Sequence, residues 1–201
     1  MARTPEFDRD QALEQAVALF WRQGYFASSV KQLGDALDMR PGSLYGAFGS
    51  KEGLFLAALE RYSDNMGRVL SDVMALSPSV IEGLSRYLEI LAEACCDARS
   101  EPARACMLIK TLLEVNAQAP RLQNRVNRIL DAIEQNLREQ LEQARARGEL
   151  RPDTDCPRLA RLLQAQIMAL RTFAQRDTDP RHVQQLAEDM AAILDSYRVV
   201  H

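Results

Sequence analysis

Apolar residues recur at helical spacing along almost the whole chain, and no run alternates apolar with polar for long enough to make a strand. The pattern predicts an all-α protein of about nine helices. Ala12, Leu13, Ala16, Val17, Leu19 and Phe20 form the first stripe, on a helix from about Asp8 to Gln23 that Gly24 ends. A second helix follows Ser28, its expected N-cap, with Val30, Leu33, Gly34 and Leu37 inward. Asp38 and Met39 make a turn. Pro41 suits the first position of the third helix, where its missing N–H costs nothing. That helix closes between Gly46 and Gly49. Ser50 caps a fourth helix over about 51–74.

The later helices are longer. Ser79 with Glu82 reads as a capping box that opens the fifth, which runs to about Arg99. The sixth is expected over Ala103–Ala117 and the seventh from about Arg121 to Arg147, stopped by Gly148. Asp155 caps the eighth, to about Gln175. Asp179 and Pro180 open the ninth, which ends near Tyr197. Two units are expected: a small one over 1–50 and a larger one over 51–201. The fourth helix joins them without a flexible linker.

Composition narrows the function classes. Hydrophobic residues are 47% and charged residues 26% of the 201, enough for a substantial core. No apolar run approaches the ~20 residues of a membrane span, and MARTPEFDRDQ has no apolar stretch of the signal-peptide kind. A cytoplasmic setting with reduced thiols is therefore expected for Cys95, Cys96, Cys106 and Cys156, which lack metal-ligand spacing. No Ser-His-Asp set, phosphate loop or metal cluster is present, and the only histidines are His182 and His201. Glu139 and Glu142 read as a solvated helix face. An enzyme is not expected, nor a bound cofactor or metal.

Net charge is −3. Residues 1–53 hold six basic and seven acidic side chains, so that segment is not basic either. Between Asp38 and Glu52, however, the only charges are Arg40 and Lys51. Any nucleic-acid footprint is small and local, because phosphate neutralisation usually dominates such affinity.

Residues 24–54 hold the candidate chemistry. Two short helices at a steep angle need a small inner residue, here Gly34, and a turn that tolerates left-handed backbone, here Asp38. In PGSLYGAF, Leu44 and Phe48 face inward. Pro41, Gly42, Ser43, Tyr45, Gly46 and Ala47 are left outside. Small outer residues let the helix approach a groove closely, and Ser43 and Tyr45 can hydrogen-bond phosphate or base edges. Ser28 and Ser29 stand where free N–H groups attract phosphate, and Lys51 adds a full charge to a second helix start. Helix-turn-helix geometry also occurs in domains that bind no DNA, so the pattern by itself leaves a plain three-helix core open.

These residues resemble the N-terminal domain of the TetR/AcrR family of tetracycline-repressor-like regulators. The matching residues are Ala16 and Phe20; Gly24-Tyr25; Ser28-Ser29-Val30; Leu44-Tyr45 with Phe48; and Ser50-Lys51-Glu52 with Leu54. The match covers about 8–60. The chain departs from the family at Asp38, usually Gly, and at Arg40, often Ser or Thr. The resemblance implies DNA contacts at Ser28, Ser29, Arg40, Gly42, Ser43, Tyr45 and Lys51. Tyr45 and Lys51 would hold phosphate; Arg40, Gly42 and Ser43 would read bases.

For the larger unit the resemblance implies a helical ligand-binding domain whose last two helices pair with a second subunit. Dimer contacts are then expected from Leu159, Leu163, Ile167, Leu170, Val183, Leu186, Met190 and Ile193, against the plainer reading that these stripes close the subunit's own core. An effector cavity is expected among the fourth to eighth helices, with Met66, Tyr87, Leu91, Met107, Leu108, Thr111, Met168 and Phe173 as candidate lining. Few charges fall in these stripes, which favours an apolar or aromatic effector. The implied function is a homodimeric repressor released from a palindromic operator by that small molecule. A thiol-based alternative rests on Cys95, Cys96 and Cys106, with Arg99 and Arg104 near them to favour a thiolate. A helical adaptor without DNA binding is the remaining reading.

Overall fold

Side-chain caps start most helices where the sequence places them. Asp8, Ser50, Ser79, Asp155 and Asp179 each accept backbone N–H groups of the turn that follows. The computed structural model describes residues 8–97, 105–115 and 118–199. The elements are α1 (Arg9–Gln23), α2 (Val30–Ala36), α3 (Pro41–Phe48), α4 (Lys51–Leu76), α5 (Val80–Cys96), α6 (Met107–Glu114), α7 (Pro120–Ala146), α8 (Cys156–Ala174) and α9 (Pro180–Asp195). Among the described residues the fold is all-α. Its one extended pairing is an isolated bridge between Leu150 and Arg198.

Four boundaries differ from the sequence reading. α5 ends at Cys96, with Asp97 already in extended backbone, short of the expected Arg99. The cap of α2 is Ser29, not Ser28, in a reciprocal capping box with Gln32. The Ser28 hydroxyl instead donates to Tyr25 O at 2.9 Å. α6 is shorter than Ala103–Ala117, because tertiary partners take the backbone of Ala105. Its N–H donates to Gln175 Oε1 and its C=O accepts from Trp21 Nε1, so neither serves a helix. α9 stops at Asp195, and Tyr197 O accepts from Arg151 N–H, tying the tail to the α7–α8 joint.

Two cores form, and they do not divide the chain at residue 50. The first joins Leu13, Phe20, Leu33, Leu44 and Phe55 to Met107, Leu108, Leu122 and Val126 of α6 and α7. Phe20 and Phe55 meet edge to face with centroids 4.7 Å apart. The second joins α5, the later part of α7, α8 and α9. α4 serves both. Leu54, Phe55, Leu59 and Tyr62 enter the first core, while Leu70, Val73 and Met74 pack on the second. One continuous helix thus spans both cores.

Candidate nucleic-acid interface and the cavities behind it

The interface is built on the turn between α2 and α3. Asp38 has φ +50°, the one positive φ outside glycine among the described residues. It occupies the position after the cap of α2, and Met39 N–H closes back on Gly34 O at 2.8 Å, the bond of a Schellman ending. The turn also explains Gly34. A Cβ there would lie 2.8 Å from Met39 O, so the turn's own backbone excludes a side chain. Left-handed backbone costs an L-residue energy that glycine avoids. Asp38→Gly is therefore expected to stabilise the protein by about 1 kcal/mol, read as a higher urea midpoint. An unchanged or lower midpoint would mean the Asp38 side chain offsets the strain.

α3 stands on this turn with Leu44 buried beneath it. Arg40, Pro41, Gly42, Ser43, Tyr45 and Gly46 face outward, with Tyr45 44% exposed. A Cβ at Gly42 or Gly46 would meet nothing within 4 Å. Nothing inside the protein requires these glycines, yet each costs an exposed helix about 1 kcal/mol relative to alanine. Ser29 is exposed at the start of α2, whereas Ser28 is buried and held by Tyr25. The Lys51 ammonium lies 4.5 Å from the centroid of the Tyr25 ring, which fixes its direction. Partial burial lowers the Lys51 pKa, and Glu114 opposes that shift.

α6 grips this unit through three polar connections that the sequence reading missed. Trp21 Nε1 donates to Ala105 O at 2.6 Å. Lys110 Nζ donates to Trp21 O at 2.5 Å and Arg22 O at 3.2 Å, capping the end of α1. Glu114 accepts from Tyr25 N–H at 2.8 Å and Phe26 N–H at 2.6 Å. Gly24 permits this grip: it has φ +86°, and a Cβ would lie 2.7 Å from the Glu114 carboxylate. These partners stand more than 80 residues apart in sequence, so local spacing holds no signal of them.

Among the described residues, three cavities lie behind the interface. One of about 600 Å³ runs between α4 and α7 and reaches Met66, Met74, Tyr87 and Ile133. A second, about 390 Å³, is bounded by Val17, Ala18 and Trp21 of α1, Tyr62 and Met66 of α4, Tyr87 and Leu91 of α5, and Arg171. A small third, about 30 Å³, lies among Met66, Cys106, Leu108, Met168 and Arg171. The expectation of helices four to eight omitted α1, which walls the second cavity. Of the candidate lining residues, Met66, Tyr87, Leu91, Leu108 and Met168 reach a cavity. Met107 is core, Thr111 donates to Met107 O, and Phe173 lies under Arg176, outside the three cavities. Arg171 went unremarked in the sequence. Its signal was a charge within the apolar stripe of α8, four after Ile167 and three before Ala174.

The α8–α9 stripes close the subunit's own core. Leu159, Leu163, Ile167, Leu170, Val183 and Met190 are all buried there against the chain's own helices. Leu186 is half-buried and Ile193 exposed. The outward face of α8 presents Leu162, Ala165 and Ala169. Cys95, Cys106 and Cys156 are buried and Cys96 is partly exposed. Burial raises the Cys156 pKa. Arg99 and Arg104 lie outside the described residues.

A helix-turn-helix whose recognition helix is exposed and glycine-lined, carried on a larger helical body, defines a DNA-binding protein of the regulator class. Residues 12–58 match the family described as bacterial regulatory proteins, tetR family. Residues 83–190 match the tetracyclin repressor-like C-terminal domain. The HTH-type transcriptional repressor ComR of Escherichia coli (strain K12) is 31% identical over 186 residues, 92% of this chain and 88% of that one. A solved structure of a cysteine-substituted TetR family regulator CifR with 26-base-pair double-strand operator DNA superposes with TM-score 0.86 at 30% identity. It covers 95% of this chain and 98% of that one. This chain belongs to the TetR family and is a DNA-binding transcriptional repressor of that family. Among the described residues no helix is long and apolar enough to cross a membrane.

Proposed function

We propose that the protein acts as a homodimer that holds a palindromic operator through α3 of each subunit and releases it when a small molecule enters the cavities behind α1 and α4. The observation that supports this most directly is the outward glycine pair on α3, Gly42 and Gly46, which no internal contact requires. Around it Arg40, Ser43 and Tyr45 supply donors for phosphate and base edges, and Ser29 and Lys51 supply phosphate contacts at two helix starts. The Ser28 hydroxyl already donates to Tyr25 O, so it is not the donor to phosphate here. The complex of the CifR relative with double-strand operator DNA supports operator binding by this chain.

A dimer would use the outward face of α8 and α9. Leu162 and Ile193 are large apolar residues left 38% and 39% exposed. Ala165 and Ala169, four apart, allow a second helix to come close. Isologous pairing presents two α3 helices to half-sites about 34–36 Å apart, so a small change in their spacing breaks the fit. A ligand against α1 would displace the unit that α6 grips, and α4 would relay the shift.

Selection from random DNA tests the reading. A palindrome should emerge, with affinity that weakens as salt rises. Gly46→Ala should then stabilise the protein by about 0.5–1 kcal/mol while weakening the selected operator, because the added methyl meets only DNA. No selected sequence, or a variant that binds as well as wild type, would sink it. One observation favours a second reading, in which a thiol is the sensor: Cys106 lines the small cavity against Tyr62 and Arg171. Loss of operator binding on oxidation, abolished by Cys106→Ser, would establish that route instead.

A further inference from the structure

Arg171 is the most unusual charge in the molecule. It projects from α8 into the interior and is only 8% exposed. Its Nη1 donates to Tyr62 Oη at 3.3 Å, while Nε has no hydrogen-bond partner. Among the described residues no carboxylate forms an ion pair with it. The groups around it are Tyr62, Tyr87, Cys95 and Cys106. Burial pushes both phenols above their ordinary range, so neither is an anion. A guanidinium does not shed its proton, and a buried charge without a counter-ion is costly.

Arg171 is also among the residues that line two cavities. The 390 Å³ cleft has Trp21, Tyr62, Tyr87, Met66 and Leu91 around it, and its volume suits a ligand of small-drug size. Glu14 stands at the same cleft, but Arg61 pairs with it at 3.2 Å. Among the described residues the cleft therefore offers an aromatic and apolar body with a cationic residue, Arg171, that no carboxylate pairs.

We propose that Arg171 receives the carboxylate of an apolar or aromatic organic acid, whose hydrocarbon part fills the cleft between α1, α4 and α5. This rests on the effector-release reading and adds the chemical class of the effector. A carboxylate supplies what the site lacks: a negative charge and an acceptor for the idle Nε–H, in the planar geometry that arginine matches. The hydrocarbon lies against Val17, Ala18 and Trp21, so occupancy acts on α1 directly.

The test uses the full-length protein and three probes, benzoate, 3-phenylpropionate and 2-naphthoate, each beside its primary amide. Calorimetric titration and thermal shift are read without DNA, and operator release by fluorescence anisotropy. At least one acid should bind at least tenfold more tightly than its amide. Arg171→Met should remove that preference while melting at or above the wild-type temperature, since it deletes an unpaired buried charge. Equal binding of acid and amide, no binding of any acid, or Arg171→Met melting well below wild type would overturn the proposal. So would rapid alkylation of Cys106 that slows in Arg171→Met, which would make the thiolate the counter-ion. The two readings fail separately. An acid that binds through Arg171 yet leaves the operator bound defeats effector release alone. A neutral compound that releases the operator while no acid binds defeats the anion site alone.

Discussion

Replacing Glu114 by alanine is expected to destabilise the protein by about 2–4 kcal/mol, the largest single effect outside the buried core. Its carboxylate is the partner of two consecutive backbone donors, Tyr25 N–H and Phe26 N–H. Hydrogen bonds to a charged acceptor contribute about 1.5–3 kcal/mol each, and both donors lose their partner together. The loss falls where α1 hands over to α2, so it loosens the helix-turn-helix from α6 before it unfolds the second core. Urea unfolding measures the total. Hydrogen exchange at the Tyr25 and Phe26 amides locates it. Glu114→Gln should lose roughly half as much, since an amide keeps one acceptor oxygen. A Glu114→Ala variant with wild-type stability and protected amides would show that α6 does not hold the DNA-binding unit.

Tyr45→Ala should weaken the operator complex by about 3–6 kcal/mol, roughly a hundredfold or more in Kd. The tyrosine stands on the outer face of α3, and a phosphate accepting from its hydroxyl would be a charge-assisted bond in each half-site. Because the side chain is 44% exposed, folding stability should move by no more than about 0.5 kcal/mol. That split separates contact from scaffold. Lys51→Ala provides the comparison: it should flatten the dependence of log affinity on log salt by about one unit per subunit. Anisotropy titrations across a salt series give both numbers. Unaltered affinity in Tyr45→Ala would remove α3 as the reading helix.

Much of the architecture was legible because its causes are local. Apolar residues at helical spacing, proline at the first turn and a capping side chain before it fix a helix within a few residues of chain. The turn at Asp38 was legible for the same reason, since few residues tolerate a φ of +50°. The outer face of α3 followed from Leu44 and Phe48 lying four apart. The errors mark the limit of local cues. Ser28 and Ser29 are chemically alike, and only packing against Tyr25 decides which one caps α2. α6 lost its first turn because Trp21 and Gln175, distant in sequence, claimed the backbone of Ala105.

The apolar stripes of α8 and α9 show a second limit. A stripe states that a face is buried, not what buries it. Leu159, Leu163 and Val183 turned inward, leaving Leu162 and Ile193 as the large apolar residues exposed on α8 and α9. The sequence by itself determined the number and order of the helices, most of their caps, the helix-turn-helix and the outward residues of α3. Each depends on neighbours within a turn or two of chain. The tertiary structure alone decided that Glu114 and Lys110 grip α1, that α1 walls a cavity and that Arg171 faces an interior without a counter-ion. Those facts depend on pairings across roughly ninety residues or more, and helical periodicity holds no information at that separation.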